Sequence, residues 1–204
     1  MIIRNAVKAV MIVAPLLFVA GVGCSSEDEH DRSGGSNAWD GSVTPTPTGS
    51  SDPGNCWLML PGATGDEPDG EIPVCCMPTE AQKQDIDEAF SALNAYRVQQ
   101  GAEPYEYDLA LEAAIQGHCL HMVEHSFFDH QAPESAVSGF WERAELCDTS
   151  ASGENLAGGT RSLTGEEVID YWKTSPGHNQ NMVSTRFERV GIGTCGNYWG
   201  MIVD

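Results

Sequence analysis

Basic residues are scarce in this sequence. Its 204 residues include 10 Lys and Arg against 30 Asp and Glu, which gives a formal net charge of -20. A chain this acidic is repelled by phosphate backbones, so we expect no nucleic-acid partner. One zinc-binding pattern and one pattern of a catalytic serine are also missing. No cysteine pair has the C-x-x-C spacing of a zinc ribbon, and no Gly-x-Ser-x-Gly segment marks a serine hydrolase.

The sequence has no apolar run of the length that a standard membrane span requires. A basic segment precedes a short apolar run over residues 9–20, and small residues follow directly before Cys24. This order predicts a signal peptide over residues 1–23 of the lipoprotein type, with Cys24 as the lipidated residue. Position 21 is Gly where a leucine is usual, so ordinary cleavage with Cys24 as a plain thiol is the alternative. Both predict export, either as a cell-envelope lipoprotein (in the outer membrane of a Gram-negative host) or as a secreted protein.

Composition divides the remaining chain into three parts. Residues 24–54 are rich in Ser, Gly, Asp, Pro and Thr, which predicts a disordered acidic tether. Under this prediction the membrane is contacted through the N-terminal lipid anchor only. Residues 55–78 hold three cysteines and several Gly and Pro, which predicts a Cys-rich extension pinned to the main domain as a loop or hairpin. Residues 79–204 are expected to form the globular domain.

Cysteine usage fits an oxidising compartment. Setting Cys24 aside leaves an even number of the 7 cysteines, which predicts three disulfides in an exported chain. Adjacent Cys75 and Cys76 are expected to bond to different partners, because a vicinal disulfide is strained. The pairing is otherwise open. The cysteines expected in disulfides are Cys56, Cys75, Cys76, Cys119, Cys147 and Cys195.

Local signals predict helices between scattered strands, which indicates an α/β layered domain. Thr79 and Thr164 each begin a capping-box pattern, and Asp108 is a good N-cap for a helix that runs to about His125. The other expected features are a helix end at Gly101, an irregular stretch over 131–153, a third helix through Trp172, a short helix after His178, and two C-terminal strands with a turn at Gly196-Asn197.

Three segments carry the strongest functional signal. They are Phe128-Asp129-His130, Gly153-Glu154-Asn155-Leu156-Ala157, and the stretch from Trp172 to Ser175-Pro176-Gly177-His178. Their order and spacing resemble the CAP superfamily in its bacterial form, a resemblance that runs from Leu93 to Ile202. It implies a three-layer α-β-α sandwich with a central antiparallel sheet. It also implies an open cleft that contains His130, Glu154 and His178.

The chemistry of this cleft favours a metal ion. Two neutral imidazoles, His130 and His178, suit a divalent cation such as zinc, and Glu154 either binds the metal or orients an imidazole. Many eukaryotic members have a second cleft glutamate where this chain has Ser175, so the four-residue His/Glu/Glu/His set is incomplete. We therefore expect non-catalytic binding of a metal and of an extracellular ligand or partner. The alternatives are a metal-assisted extracellular hydrolase, either a peptidase or a cell-wall enzyme, and a polar network that only stabilises the cleft.

Two competing patterns are weaker. His121-x-x-Glu124-His125 fits the H-x-x-E-H pattern of inverted zinc peptidases. We interpret it, together with His118, as a solvated histidine-rich helix face. Ser126 and Ser175 are near histidines in the sequence, but a catalytic triad is assembled in space and sequence proximity is poor evidence for one.

Aromatic residues flank the predicted cleft in the sequence: Phe127, Phe128, Phe140 and Trp141. Because relatives in the superfamily bind sterols or other lipids in grooves, the resemblance implies a lipid or sterol-like ligand as one option, beside an extracellular protein. Core packing is the commoner role for such side chains.

Overall fold

The structure is a computed structural model that describes residues 56–62 and 71–204, so the predicted signal peptide, Cys24 and the whole predicted tether lie outside the described residues. The elements in chain order are β1 (Cys56–Pro61), β2 (Glu71–Cys76), α1 (Glu80–Gln99), β3 (Glu106–Tyr107), α2 (Leu109–Glu124), a 3₁₀ turn (Ser135–Val137), α3 (Phe140–Leu146), β4 (Gly153–Gly158), α4 (Gly165–Lys173), α5 (Pro176–Val183), β5 (Arg189–Cys195) and β6 (Tyr198–Val203). None of the helices in these ranges has the length and apolar character needed to cross a bilayer.

The central sheet has the strand order β3-β5-β6-β4. The pairings of β6 with β5 and with β4 are antiparallel, as the resemblance implied. The two-residue β3 adds a short parallel pairing at the β5 edge. The strands β1 and β2 form a separate antiparallel pair. At the opposite edge of the main sheet lies β4, the strand that carries the Gly153-Glu154-Asn155 segment.

The predicted helix starts are confirmed by their caps. The Thr79 hydroxyl accepts a hydrogen bond from the backbone N–H of Gln82, whose side chain accepts one from Thr79. Thr164 and Glu167 form the same reciprocal pair at the start of α4. These bonds satisfy amide groups that have no partner in the first turn of a helix.

The strand β5 shows why the domain has three layers. Val190 and Ile192 pack on one face of the sheet with α1, α4 and α5. The intervening Gly191 and Gly193 face α2, where a Cβ on Gly191 would lie 2.1 Å from the backbone nitrogen of Glu112. Alternate side chains of a strand point to opposite faces, so this pattern places α2 directly against the glycine face. The α-β-α sandwich follows from that arrangement.

The helix α2 is enclosed on more than one side. It packs on β5 and β6, and it also packs on β2. At the second contact a Cβ on Gly117 would lie 2.0 Å from the carbonyl oxygen of Val74. Every residue from Leu111 to Met122 is buried, which includes His118 and His121. The predicted solvated face is therefore wrong for His118 and His121, because the loop that follows α2 covers them, with the Phe127 ring against both imidazoles.

The stretch 131–153 is more regular than the sequence indicated. It contains the 3₁₀ turn and the seven-residue α3, and the Glu142 carboxylate accepts a hydrogen bond from the Gly139 N–H at the start of α3. The short helix near His178 also begins earlier than predicted, at Pro176, so that His178 lies inside α5. Pro at the first position of a helix needs no hydrogen-bonded N–H, which favours this earlier start.

The disulfides tie the β1–β2 pair to the sandwich. Cys56 bonds to Cys76 across the pair, and Cys75 bonds to Cys147 at the end of α3, so the prediction that the adjacent cysteines have different partners is confirmed. The prediction that Cys119 forms a disulfide is wrong, because Cys119 is a free thiol. It is fully buried in α2, where its Sγ contacts the carbonyl oxygen of Gly193 at 3.5 Å.

Candidate functional site

The edge strand β4 positions the cleft. Glu154 is paired with Ile202 of β6 and shares with it the face toward α2, whereas Asn155 points to the opposite face. The free edge is covered by two side chains. The Trp172 indole N–H donates to the carbonyl oxygen of Leu156 at 3.2 Å, and the Asn181 amide donates to that of Glu154 at 3.3 Å. Covering the edge leaves few unpaired backbone groups and fixes the strand beside α4 and α5.

Both oxygens of the Glu154 carboxylate are engaged. His130 Nδ1 lies 2.7 Å from Oε1, and Arg143 Nη2 lies 2.6 Å from Oε2. The Arg143 and Glu154 side chains are each 1% exposed, whereas the His130 side chain is 53% exposed. The hydrogen bond that His130 donates to Glu154, and after it the negative charge of that carboxylate, raises the pKa of His130. With Nδ1 as the donor to Glu154, the other ring nitrogen, Nε2, is the one left to face a ligand.

Arg143 is the site residue that the sequence analysis missed. Besides binding Glu154, its guanidinium donates to the carbonyl oxygens of His130 at 3.3 Å, Val137 at 2.9 Å and Ser138 at 3.0 Å. It therefore fixes both the backbone and the carboxylate partner of His130. The helical spacing of Phe140, Arg143 and Cys147 was a sequence signal for α3. The burial of the Arg143 side chain could not be predicted without the fold.

His178 approaches from the other layer. Its carbonyl oxygen accepts a hydrogen bond from the Asn155 amide at 3.0 Å, and the Asn155 side-chain oxygen accepts one from Asn181 at 2.9 Å. The Nδ1 atom of His178 is buried without a hydrogen-bond partner. Burial, and after it the charge of His130, lowers the pKa of His178. His178 is thus neutral at neutral pH, the form in which imidazole binds metals.

Of the three predicted cleft residues, His130 and Glu154 are joined by a hydrogen bond, and His178 lies near them without such a bond. Glu154 holds His130 directly, and His178 lies across β4, close enough for the His130 charge to affect it. Ser175, at the position of the missing carboxylate, precedes the first residue of α5 as its N-cap. Within residues 56–62 and 71–204, the His130 side chain bonds to Glu154 and the His178 carbonyl oxygen accepts from Asn155, and these bonds involve neither the Ser126 nor the Ser175 hydroxyl.

The helix histidines form a different group. Among the residues that the structure describes, His121, His125 and Glu134 are the one set of three His, Cys, Asp or Glu side chains whose ligand atoms all lie within 4.8 Å of one another. Glu124, the glutamate of the H-x-x-E-H pattern, is exposed and is not a member. His118 is separate, with its Nε2 3.0 Å from the carbonyl oxygen of Asp129.

The aromatic residues near the cleft divide into two classes. Phe127 and Phe140 pack against the core, as the commoner role predicted. Phe128 is 48% exposed and stacks on Tyr198, and Trp141 is 52% exposed. Exposed aromatic side chains therefore lie in the same segment as His130 and in the same helix as Arg143.

Comparisons with known proteins agree on the fold. The chain is 31% identical over 108 residues to the uncharacterized protein YkwD of Bacillus subtilis, a match that covers 52% of this chain and 41% of YkwD. An extracellular SCP-domain protein of Bacillus anthracis has a similar structure, with a TM-score of 0.56, 19% identity and coverage of 60% of this chain and 40% of that one. An outer surface protein of Borrelia burgdorferi has a TM-score of 0.53 and 19% identity, over 59% of this chain and 92% of that one.

The match to YkwD leaves more than half of that relative uncovered, so the chain corresponds to a part of its length. The family model of the cysteine-rich secretory proteins, CAP, matches residues 90–201, which is more than half of the chain. This segment contains His130, Arg143, Glu154 and His178. The chain therefore belongs to the cysteine-rich secretory protein (CAP) family.

Proposed function

We propose that this chain is an exported CAP-domain protein whose cleft binds a divalent metal ion, zinc first, together with an extracellular ligand. The observation that carries the proposal is the Glu154 carboxylate, which engages His130 Nδ1 at 2.7 Å and Arg143 at 2.6 Å. A carboxylate in this position orients an imidazole and makes it a better ligand through its other nitrogen. Glu154 would thus orient the imidazole that binds the metal, and it would not bind the metal itself.

The ligand set of this cleft would be small. His130 Nε2 and the neutral His178 would contact the ion, and water would complete the coordination. Zinc supplies Lewis acidity to whatever occupies its open positions. Because Ser175 replaces the second carboxylate and Glu154 is already engaged by Arg143, neither of the two positions at which many relatives have a cleft glutamate supplies a free carboxylate as a general base. This supports binding over hydrolysis.

Export is supported by three observations. The N-terminal sequence has the order of a lipoprotein signal, disulfides join Cys56 to Cys76 and Cys75 to Cys147, and the family is a secretory one. Disulfides persist in oxidising compartments outside the cytosol. Lipid anchoring at Cys24 is part of the proposal, with secretion as the alternative. A partner protein, a lipid or a sterol-like molecule would contact the exposed Phe128 and Trp141 beside the cleft.

Calorimetry with zinc on the full chain tests the proposal. The double variant His130→Ala/His178→Ala is expected to lose one zinc equivalent that the wild type and the Ser175→Ala control retain. Equal zinc binding in wild type and double variant would contradict the proposal. Hydrolysis of casein or peptidoglycan that is abolished by a chelator and by this double variant would favour the metal-assisted hydrolase.

A further inference from the structure

The group formed by His121, His125 and Glu134 has the geometry of a metal site that is separate from the cleft. His121 lies in the last turn of α2 and His125 is the C-cap residue four positions later, so both side chains lie on one face of the helix end. Their rings are perpendicular, with centroids 4.7 Å apart. Glu134 comes from the loop before the 3₁₀ turn. One ligand atom from each of the three residues lies within 4.8 Å of the others.

The contact between His121 and Glu134 is not a normal ion pair. Nε2 of His121 lies 3.2 Å from Oε2 of Glu134, yet neither atom has a hydrogen-bond partner, so the two atoms are close without a bonding alignment. The His121 side chain is 1% exposed and the Glu134 side chain is 18% exposed. Buried polar atoms without a partner are costly. A cation bound by both atoms would satisfy them together.

The separation between the His121 and Glu134 ligand atoms suits zinc. Bond lengths of about 2.0–2.1 Å to His nitrogen and carboxylate oxygen place two tetrahedral ligand atoms about 3.3 Å apart. The observed separation of 3.2 Å agrees with that value. Phe127, whose ring centroid lies 4.9 Å from that of His121, forms an apolar wall beside the group. We propose that His121, His125 and Glu134 bind a divalent transition metal, zinc first among them, with a fourth position open to water.

Such an ion would connect the end of α2 to the loop that carries His130. The loop leaves α2 after His125, passes through His130 and reaches Glu134 only four residues later. Arg143 already holds the carbonyl oxygen of His130 and of Val137 from the other side. A metal on His121, His125 and Glu134 would hold the loop on both sides of the cleft histidine, and so it would position His130 without touching it.

Zinc and cobalt binding to the full chain test this site. Glu134→Gln and His125→Gln change partly exposed side chains, so each variant is expected to fold, which circular dichroism checks. Each is expected to weaken zinc binding at this site at least tenfold and to remove the visible absorption of Co²⁺ in a tetrahedral site. The matched control is Glu124→Gln, which changes an exposed glutamate of the same helix and is expected to bind zinc as the wild type does.

The cleft variant separates this proposal from the proposed function. His130→Ala/His178→Ala is expected to retain the zinc equivalent that Glu134→Gln loses. Wild-type zinc binding in both Glu134→Gln and His125→Gln would overturn the second site, as would a full chain that binds zinc only through His130 and His178. If His130→Ala/His178→Ala abolished all zinc binding while Glu134→Gln and His125→Gln changed none of it, this inference would be overturned and the cleft proposal would stand.

Discussion

The buried pair of Arg143 and Glu154 yields the sharpest stability prediction. Replacing Arg143 by Met keeps much of the side-chain volume but leaves the Glu154 carboxylate, which is 1% exposed, without its cationic partner. It also removes the guanidinium bonds to the carbonyl oxygens of His130, Val137 and Ser138. Breaking a buried ion pair by removing one partner costs about 3–5 kcal/mol. We expect Arg143→Met to lower the free energy of unfolding by that amount.

The half-exposed partner gives the comparison. His130 bonds to the same carboxylate, but its side chain is 53% exposed and solvent screens the interaction. His130→Ala is therefore expected to cost less than about 1 kcal/mol. The double variant Arg143→Met/Glu154→Leu should recover part of the loss, because it leaves no buried charge unpaired.

Urea unfolding with tryptophan fluorescence measures these differences, since Trp172 and Trp199 are buried in the core. For a domain of this size the Arg143→Met cost corresponds to a fall of roughly 10 °C in Tm. A loss below about 1 kcal/mol, equal to that of His130→Ala, would refute the reasoning that a buried ion pair holds the cleft together.

Two further predictions concern α2. A Cβ at position 117 would lie 2.0 Å from the Val74 carbonyl oxygen, so Gly117→Ala should cost about 1–3 kcal/mol in thermal unfolding. Gly177→Ala, where a Cβ meets nothing within 4 Å, should stabilise by up to about 1 kcal/mol, and equal effects would contradict the packing argument. Burial, then the charge of Arg143, lowers the pKa of His118 well below 6.5. Below about pH 6.5 the unfolded chain therefore binds a proton at His118 that the folded chain does not bind, so the free energy of unfolding falls as the pH drops, by up to about 1.4 kcal/mol per pH unit. His118→Gln should flatten this slope in urea titrations at about pH 4–7.

Much of the architecture was readable from local chemistry. Thr79, Asp108 and Thr164 predict three helix starts, because the side chain of each accepts hydrogen bonds from amides of the first turn. Gly196 lies between two apolar runs and turns the chain between β5 and β6 with a φ of 58°. The order of His130, Glu154 and His178 indicated the family that the comparison then established.

What the sequence could not supply depends on contacts across the fold. The burial of His118 and His121 comes from the loop after α2, whose Phe127 ring lies against both imidazoles, and no helical periodicity encodes that contact. No sequence motif singled out Arg143, whose role depends on α3 placing it against Glu154. Glu134 joins His121 only because the loop after α2 turns back on the helix, and the sequence pattern had offered Glu124 in its place.

The most direct test of the account is the zinc affinity of Glu154→Gln, measured by calorimetry in the Glu134→Gln background so that the cleft alone is counted. Both cleft histidines remain in this variant, but the substitution also removes the negative charge that pairs with buried Arg143, so circular dichroism first checks that the variant folds. The account predicts zinc binding about 10–100-fold weaker than in Glu134→Gln, because the support for the ligand is lost. Equal affinity in the two proteins would contradict the claim that Glu154 prepares His130 for a metal.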